Sequence, residues 1–384
     1  MRERGSSASG SEGVDRWSVV HFAIYGGGIE IMPFIRNRFG RVEVLVAVLG
    51  LVWASAGHGQ LIEDAKLVAS DGATDDYFSV SVSLSGDRLV VGAHGDDDLG
   101  NASGAVYVFA WDGSAWVEEI KLTASDGGEG DVFGGSVSLS GNRLVVGAKG
   151  DGDLGNSSGS AYVFAWDGSA WVEEAKLNAS DGAPGDRFGA SVSLSGDRLL
   201  VGAYGDDDFG SNSGSAYVFA WDGSAWVEET KLNGFNAGQS DFFGLSVSLS
   251  GDRLVVGARG YGYSDQGAAH AFAWDGSAWV EETMLLASDG TPGDYFGYSV
   301  SLSGDRLVVG ALFGDDYPGS DWGSAYVFAW DGSEWVEETK LNASDGAQGD
   351  SFGVSVSLSG DRLVVGSSNN NDLGSDSGSA YVFA

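Results

Sequence analysis

The chain has 384 residues, with 63 glycines, four prolines, no cysteine and a formal charge of −35. The missing cysteine excludes disulfide staples, thiolate metal sites and cysteine nucleophiles. The acidic excess argues against nucleic acid and anionic membranes as partners and favours cations or basic protein surfaces. Glycine with valine, serine and aromatic residues, and so little proline, predicts many short strands joined by tight turns.

Residues 1–31 are polar and unrelated to the rest of the chain, and are expected to be a disordered or non-native leader. From Met32 the pattern changes. Arg36, Arg38 and Arg41 precede an apolar run from Val44 to Ala54 and the small residues Ala54-Ser55-Ala56. This is the layout of a secretory signal peptide over residues 32–56, and the run is shorter than the roughly 20 residues of a spanning helix. Six of the 20 Lys and Arg and five of the 55 Asp and Glu lie in residues 1–56, so the exported body is close to −36. Such a body is expected to be secreted or held at the cell surface as a monomer, without inserting into the membrane after cleavage.

From Leu61 to Ala384 the chain repeats. "SVSLSGDRLVVGA" at Ser81–Ala93 returns with small changes at Ser136, Ser191, Ser246, Ser299 and Ser355, and Lys66, Lys121, Lys176 and Lys231 are 55 residues apart. A period of about 50 residues with strand composition is that of a propeller blade. In one unit, "FGGSVSLS" from Phe133 alternates as a half-buried strand. Gly141-Asn142 is a hairpin turn of the primed type, and "RLVVGA" is a more continuously apolar strand. "GSAYVFAW" from Gly159 is the third strand, Asp167-Gly168 a turn, and "AWVEEAKL" from Ala170 the fourth. The last unit ends after its third strand, and "LIEDAKL" at Leu61–Leu67 aligns with a fourth. The fold expected is all-β: a β-propeller of six four-stranded antiparallel blades closed by the N-terminal strand, with an incomplete seven-bladed propeller as the alternative.

Phe133-Gly134, "VVGA" at Val145–Ala148 and "GSAYVF" at Gly159–Phe164 resemble the FG-GAP repeat of integrin α chains and of many bacterial exported proteins. The resemblance implies a β-propeller whose long-loop face binds ligands. The chain departs from the integrin pattern in several places. The proline after Gly-Ala is replaced by His94, Lys149, Tyr204, Arg259 and Leu312, blade one has Ser79 in place of glycine, and integrin-type propellers have seven blades. The D-x-D-x-D-G calcium loop between the first two strands is replaced by the short turn Ser85-Gly86-Asp87-Arg88, so none of those metal ligands carries over.

Carboxylates cluster in other loops. Asp96, Asp97 and Asp98 lie between strands two and three of the first blade, with Asp151 and Asp153, Asp206, Asp207 and Asp208, and Asp315 and Asp316 in later blades. Asp181 and Asp186 mark a second loop, between blades. Antiparallel connectivity places both loop types on one face and the short turns on the other. Carboxylates on glycine-rich loops are of the kind that hold calcium, the one cofactor suggested though not required; otherwise they are solvating or form Asx-turns. Paired tryptophans, Trp111 with Trp116 and their copies, are read as cross-strand contacts in preference to sugar platforms. Where the copies disagree, the long-face loops turn aromatic: Phe235, Tyr261 and Tyr263, then Phe313, Tyr317 and Trp322. These form the candidate ligand patch. His94 and His270 are read as isolated surface-loop residues, and no nucleophile is evident. The function expected is therefore a non-enzymatic binding or adhesion module for an extracellular protein or glycan. A carbohydrate-binding lectin and a calcium-dependent hydrolase are the alternatives.

Overall fold

A computed structural model describes residues 65–314, 322–372 and 374–384, apart from the side chain of Tyr263. The segments expected to be a leader and a signal peptide, Leu61–Asp64 of the expected closing strand, and Asp315, Asp316 and Tyr317 lie outside the described residues.

The protein is an all-β, six-bladed β-propeller. Blade one is β1 (Phe78–Ser85), β2 (Arg88–Ala93), β3 (Ala105–Trp111) and β4 (Trp116–Leu122). Blade two is β5 (Ser136–Ser140), β6 (Arg143–Ala148), β7 (Ser160–Trp166) and β8 (Trp171–Leu177). Blade three is β9 (Ser191–Ser195), β10 (Arg198–Ala203), β11 (Ser215–Trp221) and β12 (Trp226–Leu232). Blade four is β13 (Phe243–Ser250), β14 (Arg253–Ala258), β15 (Ala268–Trp274) and β16 (Trp279–Leu285). Blade five is β17 (Phe296–Ser303), β18 (Arg306–Ala311), β19 (Ser324–Trp330) and β20 (Trp335–Leu341). Blade six contributes β21 (Phe352–Ser359), β22 (Arg362–Ser367) and β23 (Ser379–Phe383). Within each sheet, neighbours in sequence are antiparallel neighbours in space. The first strands of successive blades pack on one another, so they are innermost.

The recurring serines and glycines are explained by how the sheets meet. Gly92, Gly147, Gly202, Gly257 and Gly310 each lie against the next blade, where an added Cβ would come within about 2 Å of the carbonyl of Gly134, Gly189, Gly244, Gly297 or Gly353. Those same carbonyls accept hydrogen bonds from Ser81, Ser136, Ser191, Ser246 and Ser299 at 2.7–2.9 Å. A second serine two residues on accepts from the next blade: Ser83 from the Leu139 amide, Ser138 from Leu194, Ser193 from Leu249, Ser248 from Leu302 and Ser301 from Leu358. Each such buried bond contributes about 1 kcal/mol. The Phe of Phe-Gly joins the previous blade through a parallel bridge, as Phe133 does to Gly104 and Phe188 to Gly159. The repeated letters are thus the inter-sheet contact surface.

The hairpin glycine has φ +58° at Gly141, and its partner Asn142 is not left-handed, which is the primed turn of type II′. Trp111 pairs with Trp116 across β3 and β4 at 5.7 Å between rings, and the other pairs follow. Leu67 is buried in the core of blade one, as Leu122 is in that of blade two, which is the packing position of a fourth strand of the preceding blade. At the junction of blade six with blade one the stitching differs. Among the described residues β23 pairs with β22 alone, and the buried Ser357 hydroxyl has no hydrogen-bond partner.

Candidate binding face

Loops β2–β3 and β4–β5, and their equivalents, emerge on one face, and the two-residue turns and Trp-bracketed turns on the other. On the long-loop face of blade one, Tyr107 on β3 donates to Asp71 (2.6 Å) and Asp96 (3.1 Å). Lys121 on β4 reaches Asp71, Asp96 and Asp98 at 2.6–2.8 Å. The set recurs as Tyr162, Lys176, Asp126, Asp151 and Asp153, and as Tyr217, Lys231, Asp181, Asp206 and Asp208. Asp96, Asp151 and Asp206 are buried, so each needs the ammonium. Burial alone would raise the Asp126 and Asp181 carboxyls, but hydrogen bonds from the lysine and tyrosine outweigh it and hold both below the usual value. Burial would likewise lower Lys176 and Lys231, and their three carboxylates raise them instead.

This arrangement alters the reading of the acidic loops. Asp96, Asp98, Asp151, Asp153, Asp206 and Asp208 converge on a lysine ammonium, the place a cation would take. Asp97 and Asp207 instead hold their own loops by accepting the amides of Ala102 and Asn212. Among the described residues no group of three His, Cys, Asp or Glu side chains is arranged to hold a metal ion. Asp186, between blades, accepts the Ala183 amide, and burial raises its carboxyl.

Blade four breaks the pattern. Asn236, Tyr261, His270 and Met284 stand where blade three has Asp181, Asp206, Tyr217 and Lys231. His270, expected in a surface loop, is instead on β15 and 1% exposed, because it fills the tyrosine's place in the sheet. Its Nδ1 lies 2.7 Å from Glu281 Oε1, and its ring packs edge-on against Phe243 and Tyr261. His94 is half-buried and stacked on Tyr77 at 5.1 Å.

The predicted aromatic patch divides. Phe235 is 64% exposed and Trp322 43% exposed. Tyr261 is partly buried against the core of blade four, and Phe313 packs on Tyr295 at 5.4 Å. No ring contact among the described residues joins Phe235 to Trp322. The tips Leu99, Leu154 and Phe209 are also exposed on this face.

Sequence reasoning saw only half of the inner rim. The residue before each Phe-Gly or its equivalent is Tyr77, Val132, Arg187, Phe242, Tyr295 or Ser351, and all six hold left-handed backbone, with φ from +53° to +61°. Each is followed at the end of the second strand by another varied residue: His94, Lys149, Tyr204, Arg259, Leu312 or Ser368. The signal was the disagreement of these twelve positions in an otherwise uniform repeat.

The fold and its variable rim define a repeat propeller with one constant and one changing face. The chain belongs to the FG-GAP repeat family, which matches residues 62–109, 116–164, 171–219, 226–272, 279–328 and 335–383. No curated relative matches the chain.

Proposed function

We propose that the protein is a non-enzymatic binding module that acts outside the cell and engages its ligand through the long-loop face. FG-GAP propellers are ligand-binding modules, and the family is generally found in extracellular or surface proteins. The observation that carries the reading is where the copies differ. Exposed Leu99, Leu154, Phe209, Phe235 and Trp322 and the twelve rim positions all lie on the long-loop face, whereas the short-turn face repeats nearly unchanged. Export is supported by the signal-like segment at residues 32–56.

The lectin alternative is less well supported, since four of the five outer tryptophans carry a guanidinium: Arg88 lies 4.2 Å over Trp166, Arg143 4.4 Å over Trp221, Arg198 4.3 Å over Trp274 and Arg253 4.3 Å over Trp330, while Trp111 is exposed. Both blade histidines pack against aromatic rings, which favours a structural role for each. The test is binding of the chain to a panel of immobilised acidic and basic polypeptides and acidic and neutral glycans, with and without calcium. Phe209→Asp with Phe235→Asp is expected to abolish the strongest interaction, and Val172→Asp with Val227→Asp on the outermost strands to leave it unchanged. Equal loss from both pairs would overturn the assignment of the face.

A further inference from the structure

We propose that the inner rim of the long-loop face is a docking site for a short carboxylate-bearing peptide segment, held by Lys149, Arg187 and Arg259; this rests on the face assignment above and names the partner's chemistry. Arg88, Lys121, Arg143, Lys176, Arg198, Lys231, Arg253, Arg306 and Lys340 occupy repeated framework positions and each is ion-paired, Arg362 at the short-turn end of blade six being a framework arginine with no ion pair among the described residues. Lys149, Arg187 and Arg259 are not framework residues. They occupy rim positions in blades two, three and four, and none makes an ion pair among the described residues. In a body with 50 carboxylates, three cations in adjacent blades kept clear of them form an electropositive arc surrounded by acid.

Packing holds the arc in place. The Arg187 guanidinium lies 5.1 Å from the Tyr204 ring and donates to its hydroxyl; Tyr204 is 6.3 Å from Phe242. Arg259 sits 4.6 Å over Phe242 and 5.1 Å over Tyr295 of the next blade. By the same repeat, Lys149 at the end of β6 neighbours Arg187, as Arg259 neighbours Tyr295. Toward the axis, blades two and three present small residues, Gly135 and Ala190, where blades four and five present Leu245 and Tyr298. Room is therefore left beside Lys149 and Arg187. The left-handed backbone at Val132, Arg187 and Phe242 is held by amide contacts of the repeat, such as Gly150 to the Asp131 carbonyl, so the side chains at these positions start from the same fixed backbone.

The surroundings select the class of ligand. A long polyanion lying across the face would run over Asp97, Asp98, Asp153, Asp207 and Asp208 and be repelled, whereas a segment carrying two or three carboxylates would span only the rim. The faces of Tyr204 and Phe242 already carry guanidiniums, which leaves little ring surface for stacking on a sugar.

The probe is a fluorescein-labelled hexamer of glutamate, titrated with the full chain at low ionic strength and read by fluorescence polarisation. Binding is expected to weaken about threefold for each of Lys149→Gln, Arg187→Gln and Arg259→Gln, and at least about tenfold for the triple variant, while Arg362→Gln at the far end of a blade changes nothing. Lys149 makes no ion pair among the described residues, so Lys149→Glu is expected to abolish binding and to shift the melting temperature little. That variant separates binding from folding should the arginine variants prove unstable. No binding of hexaglutamate, or equal binding by the triple variant, would overturn the proposal. A heparin fragment that bound more tightly and was lost in the same variants would overturn the peptide assignment. Loss of a non-anionic panel ligand through Phe209→Asp with Phe235→Asp, beside a failed hexaglutamate titration, would refute the rim and leave the face assignment standing.

Discussion

Blades three and four share strand register, the bulge before Phe219 and Phe272, and the tryptophan pair, yet their long-loop clusters are chemically opposite. Blade three gathers three carboxylates and a tyrosine around Lys231; blade four has neither the lysine nor the carboxylates, and a buried histidine with a glutamate instead. The four positions differ together. An ammonium without its carboxylates, or buried Asp206 without its ammonium, would leave an uncompensated charge, so the cluster exchanges as a unit while the sheet beneath it stays the same. Even the approach loop follows. Gly234 replaces Ala179 because a Cβ there would come within 2.9 Å of the His270 ring.

The largest effect is expected when the two clusters are mixed. Lys231→Met alone is expected to destabilise by about 2 kcal/mol, since Asp206 is buried and its partners are half-exposed. Adding Asp181→Asn and Asp206→Asn should recover at least half of the loss in calorimetric melting, and no recovery would mean that the lysine acts through packing alone. Gly234→Ala should cost about 1 kcal/mol by overpacking, and a double-mutant cycle with His270→Ala should reveal coupling of similar size. An additive cycle would remove the link between loop and ring.

Acid titration sharpens the same contrast. The Asp181 carboxyl is depressed in the folded protein, so its contribution is fully present above the unfolded value of 3.8 and is lost as pH falls through the lower folded value. Asp181→Asn should therefore lower stability at neutral pH and flatten its decline below about pH 4. Asp186 has the opposite sign, because burial raises its carboxyl; its contribution is present below 3.8 and lost as pH rises through the folded value. An acid limb as steep in Asp181→Asn as in the parent would discount the cluster. The smallest effect expected is on the shared framework. Arg143→Ala and Arg198→Ala uncover the tryptophans of blades three and four respectively and should each cost about 0.5–1 kcal/mol, by equal amounts. Unequal losses would show that the divergence of blade four extends into its sheet.

Much of this molecule was legible in its letters because the repeat is a contact surface written out six times. Gly86 and Asp87 announced the turn, and Trp111 and Trp116 the outer hairpin, whereas the close approach at Gly92 became visible only in the packed sheets. Strand starts were less readable. β5 and β9 begin at Ser136 and Ser191, whereas β13 begins at Phe243, because the bulged Phe-Gly either does or does not enter the ladder. The lysine at the centre of the acidic loops was not legible for a spatial reason. Lys231 marks the period in sequence, but only folding brings it back over Asp206 and across to Asp181. The rim was half seen: Lys149 and Arg259 stood out as replacements of proline, but their partners before the Phe-Gly gave no sign until the backbone showed its handedness.

That handedness bears on how the molecule can change. The unusual conformation before each Phe-Gly is maintained by an amide contact common to all copies, that of Gly150 to the Asp131 carbonyl and its equivalents, and not by the side chain displayed there. Tyrosine, valine, arginine, phenylalanine and serine all sit on the same scaffold. A single codon change at such a spot would therefore re-letter what the mouth recognises and leave the assembly of the wheel untouched.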